Sequence, residues 1–150
     1  MRTFFSIFAW VGFLASLLVH SLTFFGVYAG DYVPWVWVLH IGCFVALIPL
    51  FKKNLWRDVL ASMPRWATSL AVLLMVYAVV NFFLSFVLSE GGANPDVWDG
   101  KYVLQSHGKL VRELSEREYH LQLAYQLRGF SGHWMIFYLL PALFSWYRTD

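Results

Sequence analysis

The run RWATSLAVLLMVYAVVNFFLSFVL, residues 65–88, decides how this chain folds: after Arg65 it carries no charge at all. A helix needs about 20 mostly apolar residues to cross the ~30 Å hydrocarbon core of a bilayer, and this run is long enough. Three more apolar stretches, residues 3–29, 34–51 and 130–147, accompany it, the second and fourth being only just long enough. Composition agrees, with 59% hydrophobic, 20% aromatic and 13% charged residues, against roughly 25% charge in an average soluble domain. Trp35, Trp37, Trp56, Trp66, Trp134 and Trp146 lie near stretch ends, where aromatic belts form at the membrane interface. These features predict an all-α membrane protein, an antiparallel four-helix transmembrane bundle forming a single domain.

Residues 3–29 could be taken for a secretory signal, since Arg2 precedes them and Val27-Tyr28-Ala29 looks like a cleavage site. Their apolar run is nearly double the roughly 7–15 residues of a signal core, so a retained span is expected. Lys52, Lys53, Arg57 and Arg65 crowd one short connection, which the positive-inside rule places in the cytoplasm together with both termini. Asp31, Glu90, Asp96, Asp99, Glu113, Glu116 and Glu118 then make the opposite side net negative. The net charge of +2 and the lack of a basic stripe exclude nucleic acid as a partner. The one cysteine, Cys43, rules out an internal disulfide.

The outer segment, residues 89–129, is the part rich in local signals. Gly91 to Asp96 breaks the third helix. Asp99-Gly100 is a turn dipeptide, and residues 101–106 and 109–114 read as strands of a β-hairpin with His107-Gly108 at its tip. Ser115-Glu116-Arg117-Glu118 is a capping box, in which a serine hydroxyl and a glutamate three residues on satisfy each other's amides. It predicts an amphipathic helix with Tyr119, Leu123, Ala124 and Leu127 on one face, Gly129 as its stop and Ser131 as the cap of the fourth span. A two-stranded hairpin is marginal alone, so it packs on the bundle as a lid or meets a partner. Tyr102, His107, Tyr119 and Tyr125 are the candidate partner-binding residues.

Small and polar residues fall on stripes: Ala9, Gly12, Ser16, His20 and Thr23 in the first stretch, and Ala67, Ala71, Ala78, Asn81 and Ser85 in the third. Such stripes let membrane helices approach closely, and they are the expected packing seams. Pro141 is expected to kink the last span or to free a carbonyl near Phe137.

At 1.5 Å rise per helical residue, His20, His40, Cys43 and Asn81 fall in one layer of the outer half of the bundle, with His133 above it. Ionisable groups at such depth are costly unless paired, and by default mark function. His20, His40 and Cys43 have the ligand chemistry for a metal. His20 and His40 could hold a haem iron axially, with Cys43 or His133 as further candidates for haem or metal, and a histidine with Asn81 could bond a quinone head. The competing explanation is that these groups only join helices. No nucleophile elbow, phosphate loop or paired metal-ligand motif appears, so the reading leans away from an enzyme.

The segment from Tyr102 to Tyr138, with YVLQSHG, SEREYH and LRGFSGHWMIFY, resembles uncharacterised small bacterial inner-membrane proteins. That resemblance covers about a quarter of the chain. It implies a bacterial plasma membrane and a hairpin-helix insert before the last span, and it brings no known activity. Two functions are expected from the sequence. One is an accessory or assembly protein that contacts a larger membrane complex, or a second copy of itself, through the outer insert. The other is a haem-, metal- or quinone-binding electron-transfer protein.

Overall fold

A computed structural model of the chain describes residues 2–51 and 61–147. Helix α1 spans Arg2–Thr23, a 3-10 turn follows at Ala29–Asp31, and α2 covers Val38–Leu47 with a further 3-10 turn at Ile48–Phe51. Helix α3 spans Arg65–Leu88, strands β1 (Asn94–Trp98), β2 (Lys101–Ser106) and β3 (Lys109–Glu113) come next, and α4 runs Glu116–Tyr147. The basic connection with Lys52, Lys53 and Arg57 lies outside the described residues.

The expected four-helix transmembrane bundle is not what forms. Among the described residues, two helices, Thr3–Thr23 within α1 and Arg65–Leu88, are long and apolar enough to cross a membrane. The second apolar stretch loses its first residues to successive turns, Val36 N–H to Val33 O (2.9 Å) and Val38 N–H to Trp35 O (2.9 Å). Only ten residues of it are α-helical. Pro49, which has no N–H to continue an i→i−4 ladder, sits in the tighter turn that follows.

The fourth stretch is not a separate element either. Helix α4 is 32 residues long and contains both the amphipathic helix and residues 130–147. Gly129 does not stop it. A C-terminal glycine ends a helix by adopting positive φ, and Gly129 is not among the positive-φ residues. Its missing side chain serves a close approach instead: a Cβ there would lie 2.5 Å from Ser85 Oγ on α3. Ser131 is therefore inside the helix rather than capping one. Pro141 is also buried within α4, which continues past it.

Helix α4 is the central post. Trp134, Met135, Ile136, Tyr138 and Leu139 are almost fully buried, with α1, α2 and α3 laid against them. The small-residue stripes are the seams, since Ala9, Gly12, Ser16, His20 and Thr23 of α1 and Ala67, Ala71, Ala78, Asn81 and Ser85 of α3 are all buried. Tyr138 shows why glycine is needed there: its ring occupies the space beside Gly12 and Gly42, and its hydroxyl donates to Leu39 O at 3.0 Å. The opposite faces of α1 and α3 are apolar and uncovered, including Ile7, Leu14, Leu18, Val72, Leu73, Val76 and Phe83. Only 28% and 22% of the two spans are buried, which is the reverse of a soluble protein's core helix.

The insert holds a three-stranded antiparallel sheet in the order β1-β2-β3, one strand more than a hairpin. Asn94-Pro95-Asp96 reads as a breaker, yet Pro95 lies on an edge strand, where a missing N–H is tolerated. Both turns are two-residue loops with positive φ at each central residue, Asp99 (49°) with Gly100 (78°) and His107 (52°) with Gly108 (76°). That is the type I′ geometry whose twist matches antiparallel strands. Leu104 of β2 packs with Ala93 and Leu114 in a small core of its own.

Candidate functional site

Where α1, α3 and α4 meet, five polar side chains share one buried seam. His20 Nδ1 lies 2.8 Å from Ser131 Oγ, and His20 Nε2 lies 2.5 Å from the Tyr77 hydroxyl. Ser131 Oγ also donates to Arg128 O at 3.3 Å. One proton arrangement satisfies every partner: Tyr77 donates to Nε2, and Nδ1–H donates to the serine that donates onward. Asn81 Nδ2 donates to Arg128 O at 2.9 Å, and Arg128 Nε donates to Asn81 Oδ1 at 3.0 Å. The guanidinium carbon of Arg128 sits 4.1 Å from the centroid of the Phe24 ring, a cation–π contact that shelters the charge.

His40 is held elsewhere. Trp134 Nε1–H donates to His40 Nδ1 at 2.8 Å. An indole N–H can only donate, so Nδ1 carries the lone pair and the neutral ring keeps its proton on Nε2. The Cys43 thiol donates to His40 O at 3.0 Å. His20 and His40 are thus engaged by separate partners, and no group of three or more His, Cys, Asp or Glu side chains that could hold a metal occurs among the described residues. Asn81 joins His20's seam through Arg128 and beside Gly132, while Cys43 stays with His40.

His133 lies apart from both. Its Nδ1 is 2.9 Å from Gly129 O, four residues back on α4, and its ring meets Phe82 edge-on at 5.4 Å. Ser131 and Trp134 belong to the dense run from Phe130 to Trp134 that the sequence marks as a place to look for function, whereas Tyr77 and Arg128 enter these networks without being named as candidates. Tyr77 had a signal, because it stands four residues before Asn81 on α3. Ser131 stands in the sequence as a helix cap, and nothing local to Arg128 marks it as a partner of Asn81.

The insert between α3 and α4 is mounted firmly. Arg112 of β3 bridges Glu90 (2.8 Å) at the end of α3 and Glu118 (2.9 Å) in the first turn of α4. Glu118 accepts from the Ser115 amide (2.8 Å) and hydroxyl (2.7 Å), which closes the capping box. These bonds and the Arg112 charge hold the Glu118 carboxyl down to about 2. Gln126 of α4 donates to Asn94 Oδ1 of β1 at 2.7 Å. Of the candidate partner-binding residues, Tyr102 and Tyr119 stack on each other with centroids 4.6 Å apart, and Tyr125 is half-buried on α4. His107 alone of the four stands exposed, at the hairpin tip. Leu110 (53% exposed) and Val111 (48%) on edge strand β3 are the uncovered apolar residues beside it.

No protein-family model matches this chain, and neither a curated protein nor a solved structure matches it.

Proposed function

We propose that this is a small multi-pass protein of the bacterial plasma membrane, with both termini cytoplasmic, that serves as an accessory or assembly factor for a larger membrane complex. The outer insert is its contact surface. The observation that carries this reading is the pairing of an uncovered apolar edge strand with a rigid mount. An exposed strand edge presents unpaired N–H and C=O groups for another chain to join, and Leu110 and Val111 add apolar contact. The Arg112 clamp and the capping box hold that edge to the end of α3 and the start of α4, so a partner meets a preformed surface. The uncovered apolar faces of α1 and α3 support a lipid bilayer as the surrounding medium. The bacterial location rests on the sequence resemblance, and the orientation on the charge difference between connections.

The histidines fit this reading as groups that join helices. His20 spends both ring nitrogens on Ser131 and Tyr77, and His40 spends Nδ1 on Trp134. The test is a photo-crosslinking residue at Leu110 in cells, followed by gentle detergent extraction. Crosslinks to a larger membrane protein, lost when the residue is moved to the lipid-facing Leu73, support the proposal. Recovery of the uncrosslinked monomer alone, at every position along β3, overturns it.

A further inference from the structure

A cavity of about 340 Å³ opens between the outer halves of α3 and α4, below the sheet. It is separate from the seam of His20 and from the edge of β3, and its volume falls at the small end of the range for small-molecule sites. Phe82, Phe86 and Phe130 form its wall, and all three are exposed toward the surrounding medium. Gln126 and Asn94, joined to each other, lie at its insert side. The cavity therefore runs from an aromatic, apolar rim to a polar end, as an amphiphile requires.

Its polar groups divide by place: Gln126 and Asn94 keep amide N–H donors at the insert end, beyond the one they share, while the groups around His133 are acceptors. The Gly129 carbonyl can only accept, so His133 Nδ1 carries the proton and donates to it. In the neutral ring, Nε2 is then a bare lone pair on the edge turned away from that carbonyl, with no hydrogen bond to it among the described residues. Ser85 Oγ donates to Phe82 O at 2.8 Å and Ser89 Oγ donates to Phe86 O at 3.2 Å, so both hydroxyls offer only acceptor lone pairs to the cavity. A ligand with an O–H donor for His133, an acceptor for the amide end and a flat ring for the phenylalanines matches these groups.

We propose that this cavity binds the head of a hydroquinone-class lipid, its phenolic hydroxyl donating to His133 Nε2 and its tail lying along the exposed apolar face of α3. The larger groove between α1 and α2, about 550 Å³, is lined almost wholly by apolar side chains and has no such selectivity. The reduced ring is the form selected at the His133 end, where a quinone carbonyl would meet the Nε2 lone pair acceptor to acceptor, while either form can accept from the amides of Gln126 and Asn94 at the other end.

The experiment titrates the purified full chain in detergent with a short-tailed benzoquinol and, separately, with the matching benzoquinone. Loss of one neutral hydrogen bond predicts roughly five- to tenfold weaker binding of the quinone, and the same loss of quinol binding in His133→Leu. Trp66→Leu, at the other end of α3, leaves quinol affinity unchanged. Should His133→Leu fail to fold, nitrogen NMR of wild-type histidine decides: quinol moves the His133 Nε2 resonance and quinone does not. Equal affinity for both redox forms, an unmoved Nε2 resonance, or wild-type affinity in His133→Leu each overturns the proposal. None of these outcomes depends on whether the β3 edge has a protein partner.

Discussion

Asn81 and Arg128 exchange two hydrogen bonds, the amide nitrogen of Asn81 giving to the Arg128 carbonyl at 2.9 Å and Arg128 Nε giving to the amide oxygen at 3.0 Å. The pair fastens α3 to α4 where the amphipathic half of α4 passes into its apolar half. It also makes tolerable a guanidinium that has no carboxylate partner among the described residues.

Asn81→Leu should therefore cost more than the loss of one contact. It removes both bonds and leaves the Arg128 charge facing an apolar side chain, for a loss of about 2–4 kcal/mol. Thermal unfolding in detergent reads this directly. A variant as stable as the parent would mean that water, not Asn81, satisfies Arg128.

The contact of Gly129 with Ser85 makes a paired prediction. Gly129→Ala places a methyl 2.5 Å from Ser85 Oγ and should destabilise by about 1–3 kcal/mol. Ser85→Gly removes the obstructing side chain and should recover much of that loss in the double variant, giving a coupling energy of about 1 kcal/mol in a double-mutant cycle. Strict additivity would show that the helices do not meet at these two residues.

Acid should loosen the insert before it loosens the long helices. Glu118 titrates at about 2 in the fold, against 4.5 for the free side chain, because Ser115 and Arg112 hold its charged form. A depressed carboxylate contributes stability that is complete above pH 4.5 and is lost as pH falls toward 2. Amide exchange at residues 109–119 should accelerate across that window, while α3 stays protected. Arg112→Ala should produce some of the same loosening at neutral pH. Uniform protection down to pH 2 would contradict the clamp.

The uncovered face of α3 is tested by charge. Val76→Arg puts a guanidinium near the middle of the span, where translocon scales assign about 2.5–3.5 kcal/mol against insertion. Membrane-integrated yield should fall sharply. On a water-exposed surface the same change would stay within about 0.5 kcal/mol, so an unaffected yield would place that face in water.

The local features of this protein were legible in its sequence. Asp99-Gly100 and His107-Gly108 adopt positive φ as such dipeptides tend to, Ser115 and Glu118 close their capping box, and the stripes around Gly12 and Ala78 are buried. Each of these is decided by a few neighbouring residues whose backbone preferences or spacing suffice. Tertiary structure decided the rest. Gly129 can end a helix or admit a neighbour, and with Ser85 packed against it the second holds, so that two expected helices are one continuous α4. Pro95 became part of a strand only because β2 supplied a partner. His20 and His40 share a depth by counting residues, yet hydrogen bonds to Tyr77 and Trp134 depend on how the helices are rotated against one another. That rotation follows from how whole helix faces pack, which no short stretch of chain contains.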